Sequence, residues 1–168
     1  MCTTVHREEP NKTVGVPSQS LEGICEHKLD SKFRVSVPAP WRPASGQTVQ
    51  LRLLKWKHLK VPVLRAMTQE AFEAVIQSIA SNENVPSGVR NAQKQAVYSG
   101  SESVTLNDQG KLTVPKKTAK EHGLDAGGSV HLFGRGAAFD LVAPQDVEKL
   151  RAKEAQILED LYESVDFG

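Results

Sequence analysis

Two stretches of this chain share one rhythm of apolar and polar positions. In "HKLDSKFRVSVP", residues 27–38, Phe33, Val35 and Val37 alternate with Lys32, Arg34 and Ser36. In "SVTLNDQGKLTVP", which ends at Pro115, Leu112 and Val114 alternate with Gln109, Lys111 and Thr113. Successive strand side chains point to opposite faces, so each stretch predicts a half-buried strand that opens on a turn and stops at a proline. Pro38 and Pro115 are 77 residues apart (115 − 38), and Arg34 and Lys111 are separated by the same 77 (111 − 34). Each exposed face therefore carries one cation and one small hydroxyl residue, Arg34 with Ser36 and Lys111 with Thr113.

The rest of the pattern repeats too. Strands are expected near Val49–Leu54 and Val61–Ala66, joined by a loop "KWKHLK". Thr68 is an N-cap for a helix whose stripe is Phe72, Val75, Ile76 and Ile79. A second helix is expected over 84–100, with Pro86 near its start and Gly100 past its end. The strand rhythm then returns, followed by a short turn or helix "KKTAKEHG" and a hairpin "GSVHLFGRGAAFDLV", where "GRG" is expected to supply positive-φ residues. A last helix from Pro144 places Val147, Leu150, Ile157, Leu158 and Leu161 on one side, and the helix stripes are expected to be core or subunit contacts. Strand, turn, strand, hairpin and helix thus occur twice. The expected organisation is an N-terminal arm over 1–20, a first repeat over 21–82, a connecting helix over 83–100, a second repeat over 101–143, and a C-terminal helix with an acidic tail over 144–168.

Charge gives the repeated cations a direction. The net charge is +1, but residues 28–60 hold eight cations (Lys28, Lys32, Arg34, Arg42, Arg52, Lys55, Lys57, Lys60) against Asp30, while residues 159–166 hold four acids and no base. A chain polarised in this way suits an anionic partner near its basic part. An Asp at position 30 can close an Asx-turn, and its carboxylate can reach Arg34 and fix the guanidinium fork for phosphate or a base edge. The residues of "KWKHLK" mix cations with Trp56, and there Lys55 and Lys57 have a supporting electrostatic role while Trp56 packs against a neighbouring subunit or its own helix.

Other chemistry finds no pattern to rest on. Cys25 and His27 form a Cys-x-His pair with no second pair at metal spacing, so no metal is expected. Cys2 and Cys25 do not suggest a disulfide framework. Neither a P-loop nor a dinucleotide fingerprint occurs, and the histidines lack an acid–base–nucleophile set. No catalysis, cofactor or small-molecule substrate is expected. No apolar run reaches the ~18 residues of a membrane span, and the polar N-terminus is not a signal peptide, so a cytoplasmic protein is the expectation.

Taken together, "LDSKFRVSVPAPWR" and "LNDQGKLTVP" resemble the paired Asp-x-x-x-Arg motif of the MraZ family of bacterial transcriptional regulators, relatives of the AbrB and MazE-type DNA-binding folds. The first copy keeps Asp30, Lys32, Arg34, Pro38, Trp41 and Arg42, and the second keeps Gly110 and Pro115. The likeness runs from about Leu21 to about Tyr162. It implies an α+β fold in which two pseudo-repeated β-rich halves form a split, swapped-hairpin β-barrel capped by helices. It also implies double-stranded DNA as partner, with Arg34, Lys32, Lys111, Ser36, Thr113 and Arg42 in contact and Asp30, Asn107 and Gly110 orienting them. Lys28, Lys55 and Lys57 add supporting charge. A ring-like homo-oligomer on promoter repeats of the division and cell-wall gene cluster, in the cytoplasm at the nucleoid, completes the implication. The alternative is a protein-interaction module of the antitoxin type with secondary DNA binding.

Three departures modify that picture. Phe33 stands where the family has Gly, so either the first turn has a different shape or packing holds Phe33 inward against the strain. Asn107 replaces Asp, which preserves the turn and removes the carboxylate. Lys111 replaces Arg, which offers a point charge without a fork and suits phosphate better than a guanine edge. Base reading is therefore expected mainly from the first copy and anchoring from the second.

Overall fold

The structure is a computed structural model that describes residues 20–42 and 47–168. The expectations for the N-terminal arm up to residue 19, and for Cys2, lie outside the described residues.

Twelve elements follow one another: β1 (Ile24–Lys28), β2 (Arg34–Ser36), β3 (Val49–His58), β4 (Val61–Met67), α1 (Gln69–Ala80), α2 (Ser87–Ser99), β5 (Ser101–Leu106), β6 (Lys111–Thr113), α3 (Lys116–Glu121), β7 (Ser129–Gly134), β8 (Ala138–Val142) and α4 (Pro144–Tyr162), with one 3-10 turn at Ala39–Trp41. The eight strands form one sheet in the order β1-β7-β8-β4-β3-β5-β6-β2, antiparallel throughout. The sheet curls until β2 returns to contact β1, which gives a nearly closed barrel.

The 77-residue repeat is visible in the pairing itself. Val35 lies opposite Leu112 in the β2–β6 pair (112 − 35 = 77), and Leu64 lies opposite Leu141 in the β4–β8 pair (141 − 64 = 77). Each of these residues faces its own counterpart, so a pseudo-twofold axis passes through both pairs. The first strand of each repeat leaves its own hairpin: β1 pairs with β7, and β5 pairs with β3. This exchange is the swapped architecture that the resemblance implied, and it interlocks the two copies through backbone hydrogen bonds.

The core follows the period-2 pattern. Phe33, Val35, Val37, Leu112 and Val114 join Leu51, Leu53, Leu64, Leu132 and Leu141 in the barrel interior. A second cluster, with Val61, Val63, Phe133 and Val142, is covered by Val147 and Leu150 of α4. A third holds the α1–α2 hairpin, where Phe72 and Val97 pack on Leu54 and Met67 and the partly buried Val75, Ile76 and Ile79 extend the contact. Thr68 Oγ1 accepts the Ala71 backbone N–H at 3.0 Å, the cap expected for α1.

Several local expectations are corrected. "KWKHLK" is not a loop, because β3 continues to His58 and only Leu59 and Lys60 turn the chain. Both have positive φ, 51° and 67°, the type I′ geometry that normally calls for Asn-Gly. Here tertiary contacts hold it, since Leu59 packs against the second cluster and its carbonyl accepts Lys153 Nζ at 2.8 Å. In "GRG" only Gly136 is left-handed (φ 82°); Gly134 is needed because a Cβ there would meet the Leu21 and Glu22 backbone at 2.6 Å. Two strands, β1 and β5, went unpredicted as separate elements. On α4, Val147 and Leu150 are buried, whereas Ile157, Leu158 and Leu161 are exposed, so the stripe is core in its first half only.

Candidate nucleic-acid interface

The two motif turns are built alike, atom for atom. In the first, Asp30 N donates to Arg34 O and Phe33 N donates to Asp30 O, at 2.9 and 3.0 Å. In the second, Asn107 N donates to Lys111 O and Gly110 N to Asn107 O at the same two distances. Asp30 Oδ1 accepts the backbone N–H groups of Lys32 (2.8 Å) and Arg34 (2.9 Å), and Asn107 Oδ1 accepts those of Gln109 (3.0 Å) and Lys111 (2.9 Å). Both are Asx-turns, formed because a short side-chain oxygen can substitute for a backbone acceptor. The turns also exchange backbone bonds: Val37 N donates to Gly110 O and Val114 N to Phe33 O.

The short ribbon between the turns then fixes the side chains. Arg34 is opposite Thr113 and Ser36 is opposite Lys111, so all four lie on one face while Val35 and Leu112 go to the core. Lys111 Nζ donates to Ser36 Oγ at 3.0 Å, across the two copies. Arg34 Nε donates to Asp30 Oδ2 at 2.8 Å, with both side chains about one-third exposed. The Arg34 backbone N–H beside Asp30, and then its guanidinium, hold the Asp30 carboxyl below its ordinary value. A depressed carboxyl keeps its bonds above the ordinary pKa and loses them only as pH falls through the lowered one. The fork of Arg34 therefore stays anchored by its Nε throughout the neutral range.

Phe33 resolves one of the departures. Its φ is 59°, the same left-handed turn that Gly110 makes at 77°, and its ring is buried in the barrel core. The turn keeps its shape and packing holds Phe33 in it. A strain of about 1–2 kcal/mol is set against ~3–5 kcal/mol for deleting a buried Phe ring and leaving its cavity. Phe33→Gly is accordingly expected to destabilise the protein by about 1–3 kcal/mol despite relieving the backbone, as read from urea unfolding. A stabilised variant would show that strain dominates there.

The other expected residues are dispersed. Lys32 is exposed at the tip of the first turn, and Lys28 is exposed on β1 opposite Ser129. Arg42 extends to the second turn, with its Nε donating to Val37 O at 2.7 Å. Lys55 and Lys57 gather with Trp56, Pro62 and His122 around an open groove of about 250 Å³, none of which belongs to the turns. Lys55 also pairs with Glu121 at 3.0 Å. Trp56 is 38% exposed within the chain. Arg52, counted among the basic stretch, lies over the Phe72 ring and donates to Ser101 Oγ, which places it at the α1–α2 junction.

No family model matches the chain. Its similarity to individual proteins is extensive, however. The chain is 28% identical over 153 residues to the transcriptional regulator MraZ of Ruegeria sp. (strain TM1040), covering 83% of this chain and 87% of that protein. It is 29% identical over 135 residues to the protein of the same name from Gluconacetobacter diazotrophicus, with 78% and 83% covered, and 26% identical over 148 residues to that of Leuconostoc mesenteroides, with 86% and 96% covered. The chain is thus similar over most of its length to several proteins named transcriptional regulator MraZ. Both Asx-turns form in this chain, with Phe33, Asn107 and Lys111 at the three positions where its sequence departs from the motif it resembles.

Among the described residues, no group of His, Cys, Asp and Glu is placed to hold a metal ion, and no helix is long and apolar enough to cross a membrane.

Proposed function

We propose that this chain is a transcriptional regulator that binds double-stranded DNA with the β2–β6 ribbon and its two turns. The observation that carries the reading is the paired Asx-turns, which set Arg34 and Lys111 on one face of a rigid two-stranded element with Arg34 anchored by its Nε. Phosphate contacts position such a face and base-edge contacts specify the sequence. Arg34 suits a guanine edge, Lys111 and Lys32 suit phosphates, and Ser36 and Thr113 supply hydroxyl donors of short reach. The relatives' shared name, transcriptional regulator MraZ, supports the same role.

One such ribbon is a small contact, so affinity requires several copies acting together. The exposed apolar residues Ile157, Leu158, Leu161 and Tyr162 on the outer half of α4 support assembly into a homo-oligomer. A ring binding spaced repeats ahead of the division and cell-wall genes, in the cytoplasm at the nucleoid, is the full form of the reading. A toxin-wrapping tail of the antitoxin type is favoured less, since α4 is helical to Tyr162.

The test is selection of bound fragments from the host genome by the intact protein and by an Arg34→Ala/Lys111→Ala double variant. Enrichment of promoter fragments with several repeats by the intact protein alone is expected. Equal enrichment by both proteins would remove this face from DNA binding.

A further inference from the structure

The second turn lacks the acid and the arginine of the first, yet a guanidinium lies on it. Arg42 comes from the first repeat and crosses to Gly110, so close that a Cβ at Gly110 would overlap its Nε, Cδ and Cζ. Its Nε donates to Val37 O at 2.7 Å, and its two terminal nitrogens make no hydrogen bond among the described residues. Arg34 has the same arrangement, with Nε anchored on Asp30. In both cases a fixed Nε leaves the terminal pair to meet a planar acceptor pair.

The counterpart of position 42 after the 77-residue shift is Ala119 (42 + 77), which is fully buried and shares the barrel core with Phe33. The exchange is reciprocal. Where the second turn has a small residue and a crossing arginine, the first has a large ring and an alanine. His27 adds a further sign that the cations converge, because its pKa is lowered by burial and by the charges of Arg42 and Lys111. Lys111 itself is engaged with Ser36 Oγ.

We infer that Arg42 is the specificity-determining residue of the second turn, reading a guanine edge there in place of the arginine that Lys111 lacks. This rests on the proposed DNA-binding role of the β2–β6 face and changes its division of labour. Both turns then read a base, the first through Arg34 and the second through a guanidinium lent by the other copy. Lys111 remains the phosphate contact beside it.

The experiment is selection from a randomised duplex library by the full chain, compared with Arg42→Lys and Arg34→Lys. Arg42→Lys keeps the charge and the aliphatic stem, and removes the fork together with the Nε–H bond to Val37 O. Expected is a loss of preference of roughly 5- to 150-fold at one base position, with the salt dependence of binding unchanged. Arg34→Lys should flatten a different position. Unchanged base preference with Arg42→Lys, or loss at the same position as Arg34→Lys, would overturn the assignment while leaving DNA binding intact. A uniform fall in affinity of Arg42→Lys, with thermal stability reduced in parallel, would make Arg42 a support of the turn and also overturn it. Failure of the unaltered protein to enrich any sequence would overturn the DNA-binding reading, and this inference with it.

Discussion

Asp140→Ala is expected to cost about 3–5 kcal/mol of stability, the figure for breaking a buried ion pair from one side. Asp140 is fully buried in β8 and serves two arginines at once. Arg65, its register partner on β4, donates through Nε to Oδ1 at 2.7 Å and through Nη2 to Oδ2 at 2.9 Å. Arg135 donates through Nε to Oδ2 at 2.9 Å and reaches Glu154 of α4 with Nη1 at 2.5 Å. Those guanidiniums are only 20% and 17% exposed, so solvent cannot replace the lost carboxylate. Arg65 would be left as a poorly solvated, unpaired charge at the seam between the two repeats, and Arg135 would keep only Glu154. Thermal unfolding should fall by roughly 6–20 °C for a chain of this size. Glu154→Ala should be milder, because Arg135 keeps Asp140. A change under ~1 kcal/mol for Asp140→Ala would mean that the two arginines swing out to water and that the cluster is not a determinant of stability.

The second large effect is on binding. Arg34→Ala should cost ~1–3 kcal/mol, concentrated at one base position, as loss of a bidentate guanine contact does. Lys111→Ala should weaken binding to all sequences alike and lower the salt slope by about one, as loss of a phosphate contact does. Asp30→Ala should resemble a partial Arg34 loss. Its carboxylate touches Arg34 Nε and the backbone of the turn, so removal frees the fork and loosens the ribbon end together. Asn107→Ala loses the backbone acceptor and no guanidinium anchor, so it should be milder. Titrations against cognate and scrambled repeats at two salt concentrations separate these outcomes. Equal and purely salt-dependent losses for Arg34 and Lys111 would contradict a base-reading role for Arg34.

The sequence by itself determined the repeat, the strand parity and the helices. These depend on local rules: side chains alternate along a strand, Asx residues close their own turns, and a capped 3.6-residue stripe makes a helix. The 77-residue interval then sufficed to put Arg34 and Lys111 on one face, because matching parity in paired counterpart strands leaves them no other. The tertiary structure decided what depends on residues distant in sequence. Strands β1 and β5 are short and polar enough to be overlooked, and only pairing with the other repeat's hairpin makes strands of them. Leu59 and Lys60 turn with positive φ without Gly or Asn because α4 packs against the turn. Phe33 keeps a glycine's conformation because the barrel interior accepts its ring, and Arg42 reaches the second turn because Gly110 leaves room for it. The Arg65–Asp140–Arg135–Glu154 cluster had no sequence signal, since its members gain partners only when β4, β8 and α4 converge. Local periodicity specifies which face a residue occupies, and the pseudo-twofold packing of the two copies specifies what it meets there.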